Sequence, residues 1–294
     1  MYQSLEDAVR DIWGKGVTVQ SKQSVSGGDI NEAYHLLLSN GEGAFLKLNS
    51  KAGDNFFTAE AHGLKALGEA GANVPQFLAS GKTAENAYFL LLSYEKGSRP
   101  IKGYWSLLGR MLANMHLANI ERFVDGKMFG FYEDNFIGAT RQINSPKSGW
   151  IDFFREARLG AQMKWASHYF DESDKRLCQR WLERLGDLLT EPEFPSLLHG
   201  DLWSGNVMPD RSGHPMLIDP AVYVGHYEAD LAMTELFGGF APEFYDAYHE
   251  IIPKGSGYAD RRDIYNLYHL LNHLNLFGGS YLISVRRILK RYVG

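Results

Sequence analysis

His199-Gly200-Asp201-Leu202-Trp203-Ser204-Gly205-Asn206, followed by Met216-Leu217-Ile218-Asp219-Pro220, decides how this chain is read. Asp201 and Asn206 are five residues apart, and Asp219 follows Asn206 by thirteen. A phosphoryl-transfer site needs a carboxylate that orients the attacking hydroxyl and accepts its proton. It also needs oxygen ligands that hold Mg²⁺ on the nucleotide phosphates. The five-residue loop lets base and metal ligand converge from one turn, and a second strand brings Asp219 to the metal from the other side. Taken singly, Asp201 and Asn206 could cap loops and Asp219 could end a strand, since Asp and Asn favour turns for backbone reasons. Jointly they read as a base, Asp201, and two metal ligands, Asn206 and Asp219. They follow two short apolar runs, Ser196-Leu197-Leu198 and Met216-Leu217-Ile218.

This is the catalytic-loop arrangement of kinases, with His-Gly-Asp in place of His-Arg-Asp. His199 reads as a hydrogen-bonded support of the loop, because a metal-binding His usually has a second ligand at helix or turn spacing. Asp230, in Gly225-His226-Tyr227-Glu228-Ala229-Asp230, reads either as an acceptor for backbone groups around the loop or as a helix-surface carboxylate.

If this half transfers phosphate, the preceding part should hold the nucleotide. Before residue 95 short β-patterned runs dominate, at residues 18–25, 32–38, 44–49 and 87–92. Ser39-Asn40-Gly41-Glu42 separates the second and third, and Asn-Gly is a strong hairpin signal. Residues 54–70 carry Phe57, Ala61, Leu64 and Leu67 at helical spacing, with Gly71 placed as the stop. Lys47 is an ammonium within an apolar strand, either an edge gatekeeper or a phosphate ligand. Glu60 lies thirteen residues on, in the following helix, and a Lys on the third strand paired with such a Glu steadies the α- and β-phosphates in kinases. Gly27-Gly28, between the first two strands, would let the backbone approach phosphates, although it is neither a G-x-G-x-x-G run nor a Walker loop. Asp29 beside it is electrostatically unfavourable there unless it points away.

After residue 95 the pattern is mostly helical, at about 104–117, 150–169, 174–189, 228–237 and 258–292. The expected fold is therefore α+β and two-lobed. A small β-rich nucleotide-binding lobe spans residues 1–94, and a larger helical lobe spans 95–294 with the catalytic loop, metal site and substrate pocket. Ser93-Tyr94-Glu95-Lys96-Gly97 would connect them.

The 294 residues suit two modest domains or two lobes of one architecture. With 45% apolar residues and 22% charged ones, wholesale disorder is excluded. The single cysteine, Cys178, can form neither an internal disulfide nor a thiolate cage, so a reducing, cytoplasmic setting is expected. No apolar run approaches the ~20 residues that span a bilayer, and no signal peptide is visible at the amino terminus. A net charge of −5 argues against nucleic acid as the main partner. The basic run Arg286-Arg287-Ile288-Leu289-Lys290-Arg291 fits the polar side of a last helix.

The chain resembles the fructosamine kinase (ketosamine 3-kinase) family, relatives of the aminoglycoside phosphotransferases and choline kinases. The resemblance rests on the 199–206 run with its Trp-Ser-Gly, and on Ile218-Asp219-Pro220-Ala221-Val222-Tyr223 and 225–233. Upstream it takes in Phe129-Gly130, Asn135, Ile137-Gly138, Gln142, Asn144, Trp150, Phe153-Phe154, Arg158-Leu159 and Gln162. It covers almost the whole chain and implies a protein-kinase-like fold. It also implies ATP-dependent phosphorylation of the 3-hydroxyl of a ketoamine, such as a ribulosamine or fructosamine adduct of lysine. The 3-phosphate then eliminates and frees the amine, a deglycating repair. By that resemblance Asp201 is the base, Asn206 and Asp219 hold Mg²⁺, and Lys47 and Glu60 position the phosphates. Ser93, Tyr94 and Glu95 would present hinge backbone groups to adenine, and Trp203 could stack on the sugar-derived chain or simply pack in the core. Two positions depart from the family. Asp29 stands where many members carry a Cys proposed as a redox switch, and Tyr227 where Arg is common. Competing readings are another hydroxyl acceptor, such as an aminoglycoside or choline, and a catalytically silent kinase-like binding module.

Overall fold

The structure, a computed structural model, describes residues 2–25 and 30–294. Gly27, Gly28 and Asp29 lie outside the described residues. Helix α1 (Leu5–Trp13) opens the chain, capped by the Ser4 hydroxyl, which accepts from the Asp7 N–H at 3.0 Å. It is followed by β1 (Val19–Ser24), β2 (Glu32–Leu38) and β3 (Gly43–Asn49). Helix α2 (Phe56–Glu69) comes next, then β4 (Phe77–Lys82) and β5 (Tyr88–Ser93). The strands form an antiparallel sheet in the order β1-β2-β3-β5-β4. The 39–42 segment is the expected hairpin turn, with Gly41 at φ +85°.

Alternation along the strands sorts side chains to the two faces. Ala44 and Leu46 of β3 join Leu36, Phe89 and Leu91 beneath Ala8 of α1. The residues between them face the other way, where Leu90 and Leu92 pack against Phe56, Phe57, Ala61 and Leu64 of α2, with Phe45 alongside. Lys47 belongs to that second set, which aims it at α2.

Helix α1 and strand β4 have no counterpart in the sequence reading. Helix α1 was overlooked although Leu5, Ala8, Val9, Ile12 and Trp13 share one helical face, with Ala8 and Val9 buried and Leu5, Ile12 and Trp13 packed against the apolar cluster under the sheet. In β4 the inward positions are Ala79 and Gly81, because a Cβ at Gly81 would lie 2.3 Å from the Tyr2 carbonyl oxygen. A strand that must be small on its inner face carries no hydrophobic alternation.

The rest is largely helical: α3 (Tyr104–His116), the short pair β6 (Asn135–Ile137) and β7 (Thr140–Gln142), and α4 (Trp150–Phe153). A π-helical segment over Phe154–Gly160 joins α4 to α5 (Ala161–Trp165), and a 3-10 turn completes the run expected over 150–169. Helix α6 (Glu172–Leu188) precedes β8 (Ser196–Leu198), β9 (Val207–Pro209), β10 (Pro215–Leu217) and β11 (Tyr223–Gly225). Helices α7 (Glu228–Leu236), α8 (Pro242–His249), α9 (Tyr258–Phe277) and α10 (Leu282–Val293) close the chain. The helix expected over 258–292 is two, broken at Gly278, where φ is +89°. Helix α8 was not anticipated. It crosses α3 so closely that a Cβ on Gly109 would lie 2.2 Å from the Phe244 carbonyl oxygen. One apolar cluster built on Trp150, Trp181, Leu198, Leu231 and Leu271 fills this region and reaches Ala66 and Leu67 of α2. In the basic run, Arg286 pairs with Asp174 at 2.6 Å and Arg291 with Asp263 at 2.6 Å, so two of its cations are spent within the fold. Among the described residues no helix is long and apolar enough to cross a membrane.

Candidate active site

The hairpin β9–β10 explains the thirteen-residue spacing. Leu217 pairs with Val207, and the Ile218 N–H donates to the Asn206 carbonyl at 3.1 Å, so Asn206 and Asp219 emerge side by side at its open end. The loop before it leaves β8, which pairs with β11 through Leu198 and Tyr223. Gly200 sits at φ +82°, and a Cβ there would lie 2.0 Å from the Ala221 carbonyl oxygen. That approach accounts for Gly between His199 and Asp201.

Three groups fix the loop. Asp230 accepts from the His199 N–H at 2.7 Å and the Gly200 N–H at 2.9 Å, and its Oδ2 lies 3.3 Å from the His116 ring. Burial alone would raise the Asp230 carboxyl, but His116, His199 and these donors hold it below its ordinary value. The His199 Nε2–H donates to the Ile218 carbonyl at 2.9 Å, and its Nδ1 accepts the Asp201 N–H at 3.3 Å. Burial keeps that ring neutral, as the two opposed bonds require. His199 therefore ties the backbone of Asp201 to the residue before Asp219.

Asn206 donates its amide to the Asp201 carbonyl oxygen at 2.8 Å and carboxylate at 3.2 Å, which leaves its own Oδ1 as an acceptor. Asp219 adopts φ +56°, a left-handed conformation uncommon outside glycine. Just past it, the Asn135 amide donates to the Val222 carbonyl at 2.6 Å and the Gln142 amide to the Ala221 carbonyl at 3.0 Å, while Tyr268 donates to Gln142 at 2.6 Å. This buried polar group anchors the segment that runs from Asp219 to β11.

Across the cleft, Lys47 Nζ donates to Glu60 Oε1 at 2.6 Å and to Asp219 Oδ1 at 2.5 Å. Burial alone would lower this ammonium, yet the Asp219 and Glu60 carboxylates overrule it and hold it above its ordinary value. Burial pushes the Glu60 carboxyl up against the pull of Lys47. Burial, with Asp219 beside it, also raises the Asp201 carboxyl to about 7.

A cavity of about 930 Å³ runs between the sheet and the loop. Lys47, Glu60, Ser93, Tyr94, Glu95, Asp201, Trp203, Asn206 and Asp219 all line it, whereas His199 and Asp230 support the loop from behind. One end is an apolar slot walled by Ala33, Phe45, Leu92, Met208, Met216 and Ile218. In the 93–95 segment the Ser93 N–H is already donated to the Gln76 carbonyl at 2.8 Å. Arg211 bonds the Tyr94 carbonyl and the Glu95 carboxylate, at 3.3 and 3.1 Å. The backbone groups open to a base are thus fewer than the sequence suggested, and the Ser93 N–H is not among them.

The other end is aromatic. Trp203 is 38% exposed, and its ring centroid lies 6.4 Å from that of Phe237, so it is not a core residue. His273 contacts Phe237, Phe277 and Tyr281 at 5.1–5.4 Å between centroids. Sequence reasoning missed this wall. Its signal was the spacing His269, His273, Phe277, one face of a helix.

The fructosamine kinase family model matches residues 1–294. The chain belongs to the fructosamine kinase family. The chloroplastic protein-ribulosamine 3-kinase of Arabidopsis thaliana is 40% identical, with 98% of this chain and 88% of that one covered. The crystal structure of a Haemophilus somnus chain assigned as a fructosamine-3-kinase superposes with a TM-score of 0.87 at 27% identity, covering 99% and 97% of the two chains. A thermostable aminoglycoside phosphotransferase mutant, crystallised with ADP and hygromycin B, shares the fold at 15% identity and TM-score 0.68, covering 99% and 100%. The fold is thus the kinase-like one, an antiparallel amino-terminal sheet followed by a helical region.

Proposed function

We propose that this fructosamine kinase family member transfers the γ-phosphoryl group of ATP to the 3-hydroxyl of ketoamines, the ribulose or fructose adducts of lysine, and so leads to deglycation. The observation that carries this reading is the ion-paired clasp of Lys47, Glu60 and Asp219 facing Asp201 and Asn206 across one cavity. The names of the relatives support the acceptor class. We assign residues 1–94 to the nucleotide-binding lobe and 95–294 to the lobe carrying loop, metal ligands and acceptor pocket.

In this mechanism the apolar slot takes the adenine, and free backbone groups of 93–95 take its polar edge. Lys47, steadied by Glu60, holds the α- and β-phosphates. Asp201 accepts the proton of the acceptor hydroxyl as its oxygen bonds to the γ-phosphorus, and the bond from that phosphorus to ADP breaks. Trp203 offers a flat face to the sugar-derived chain. Asn206 Oδ1 and the Asp219 oxygen not bonded to Lys47 are hard oxygen donors on adjacent residues of one hairpin end, a set that fits Mg²⁺ completed by phosphates and water. The cation, when bound, neutralises charge developing on the phosphates.

The test is ATP consumption with Mg²⁺ against ribuloselysine, fructoselysine, free ribose, choline and kanamycin, with Asp201→Asn as control. Turnover confined to the ketoamines and lost in the variant is the expected result. Turnover only on choline or kanamycin would discard the acceptor. Silence on every substrate with tight ATP binding would leave a binding module.

A further inference from the structure

His269 points a polar atom at the proposed base, and the mechanism above gives it nothing to do. It lies on α9, 3% exposed, with its Nδ1 4.0 Å from Asp201 Oδ1. That Nδ1 is buried and has no hydrogen-bond partner among the described residues. An orphaned ring nitrogen in a core is unfavourable, and cores ordinarily satisfy such atoms. The carboxylate is the acceptor beside it. A closure of about 1 Å would make the bond, and catalytic hydrogen bonds are often long until substrate is in place. Burial, with His273 nearby, lowers the ring to about 3, so it meets the carboxylate as a neutral N–H donor and not as a second charge.

We propose that His269 is a positioning residue: its Nδ1–H holds Asp201 Oδ1 and thereby fixes which face of the carboxylate meets the acceptor hydroxyl. Asn206 already donates to the other oxygen, Oδ2, at 3.2 Å, so the two donors together would set the rotation of the group about its last bond. One donor alone leaves that rotation soft. The inference rests on Asp201 being the base.

The experiment compares His269→Leu, His269→Gln and His269→Asn by steady-state kinetics, each also in the Asp201→Asn background. Asn places its amide nitrogen where the ring Nδ1 stood, and Gln places it one atom further out. Losing one hydrogen bond to a charged group predicts a fall in kcat of about ten- to hundredfold for Leu and Gln, with KM for nucleotide and ketoamine within about twofold. His269→Asn should restore kcat to within about threefold of the parent. In the Asp201→Asn background, His269→Leu should cost nothing further on the residual turnover. Equal losses in Asn and Leu, an unchanged kcat in Leu, or a change confined to KM would each overturn the proposal. So would a full His269→Leu loss that persists without the carboxylate. Normal turnover by Asp201→Asn alone would instead overturn the base assignment beneath it.

Discussion

Replacing Asp201 by Asn should make the protein more stable while it stops working, and the stability gain should depend on pH. The Asp201 side chain is 22% exposed, and burial with Asp219 alongside raises its carboxyl from 3.8 to about 7. Between those two values the folded chain keeps a proton that the unfolded chain has released. Stability therefore falls as pH rises from about 4 to about 7 and is level above that. At about 1.4 kcal/mol per pH unit, the interval of roughly three units corresponds to about 4 kcal/mol at pH 8. Relaxation around the site would reduce this, and about 2–4 kcal/mol is the working expectation. Asn carries no charge and still offers Oδ1 to the Asn206 amide. Thermal unfolding across pH 4 to 8.5 should show Asp201→Asn matching the parent near pH 4 and exceeding it by about 4–8 °C at pH 8. Turnover should fall by about 10²–10⁴-fold with nucleotide binding retained. A variant no more stable than the parent at pH 8, or stabilised equally at pH 4 and pH 8, would refute the reasoning.

With Asp201 as the proposed base, only its ionised form accepts a proton, so kcat/KM should fall about tenfold per pH unit below about 7. Lys47→Met removes the donor shared by Glu60 and Asp219, and should raise KM for ATP at least about tenfold and lower kcat, read by steady-state kinetics. Asp230→Ala orphans the buried His199 and Gly200 N–H groups and should cost about 2–5 kcal/mol in a denaturant titration, whereas Asp230→Asn, which keeps one acceptor, should cost less. Chelating Mg²⁺ should abolish turnover yet leave the melting temperature of the nucleotide-free protein unchanged, since the two proposed ligands, Asn206 and Asp219, sit on a cavity wall and hold no fold together.

Residues to which we assign the chemistry were easier to find in the sequence than residues that stand behind them. Lys47 shows itself as a charge inside an apolar strand, Asp201 and Asp219 as carboxylates just past apolar runs, and Asn206 by its spacing from both. The spacing between Asn206 and Asp219 has a simple cause in the β9–β10 hairpin. By contrast, Asn135 and Gln142, paired across the β6–β7 hairpin, hold the Val222 and Ala221 backbone carbonyls 87 and 79 residues on, and Tyr268 of α9 bonds Gln142 from a third part of the chain, so nothing local marks that contact. His116 is equally silent in sequence, although it completes the surroundings of Asp230. Strand β4 was hidden because its inner face is Ala and Gly. The aromatic wall was hidden differently, because Phe237 follows α7 while His273 and Phe277 lie on α9, and only the fold brings them to one cavity, where Phe237 and Phe277 are each 45% exposed.

The arrangement of charge argues against a silent binding module. A buried ion pair is seldom a net gain over apolar side chains of the same volume, and removing one partner of it is costly. Here the fold confines Lys47, Glu60 and Asp219 in one clasp and adds Asp201, whose burial as a carboxylate works against folding at neutral pH. It then spends Asp230, His199 and a left-handed Asp219 to hold that carboxylate and its neighbours in one geometry. A pocket that only bound nucleotide would need the apolar slot, the hinge and the lysine. It would have no use for an unfavourable carboxylate on the cavity wall, among the residues that also include Trp203 and Phe237. A group that costs stability and faces the acceptor end is accounted for by what it does to an acceptor, and removing a proton from a hydroxyl is the task its raised pKa suits.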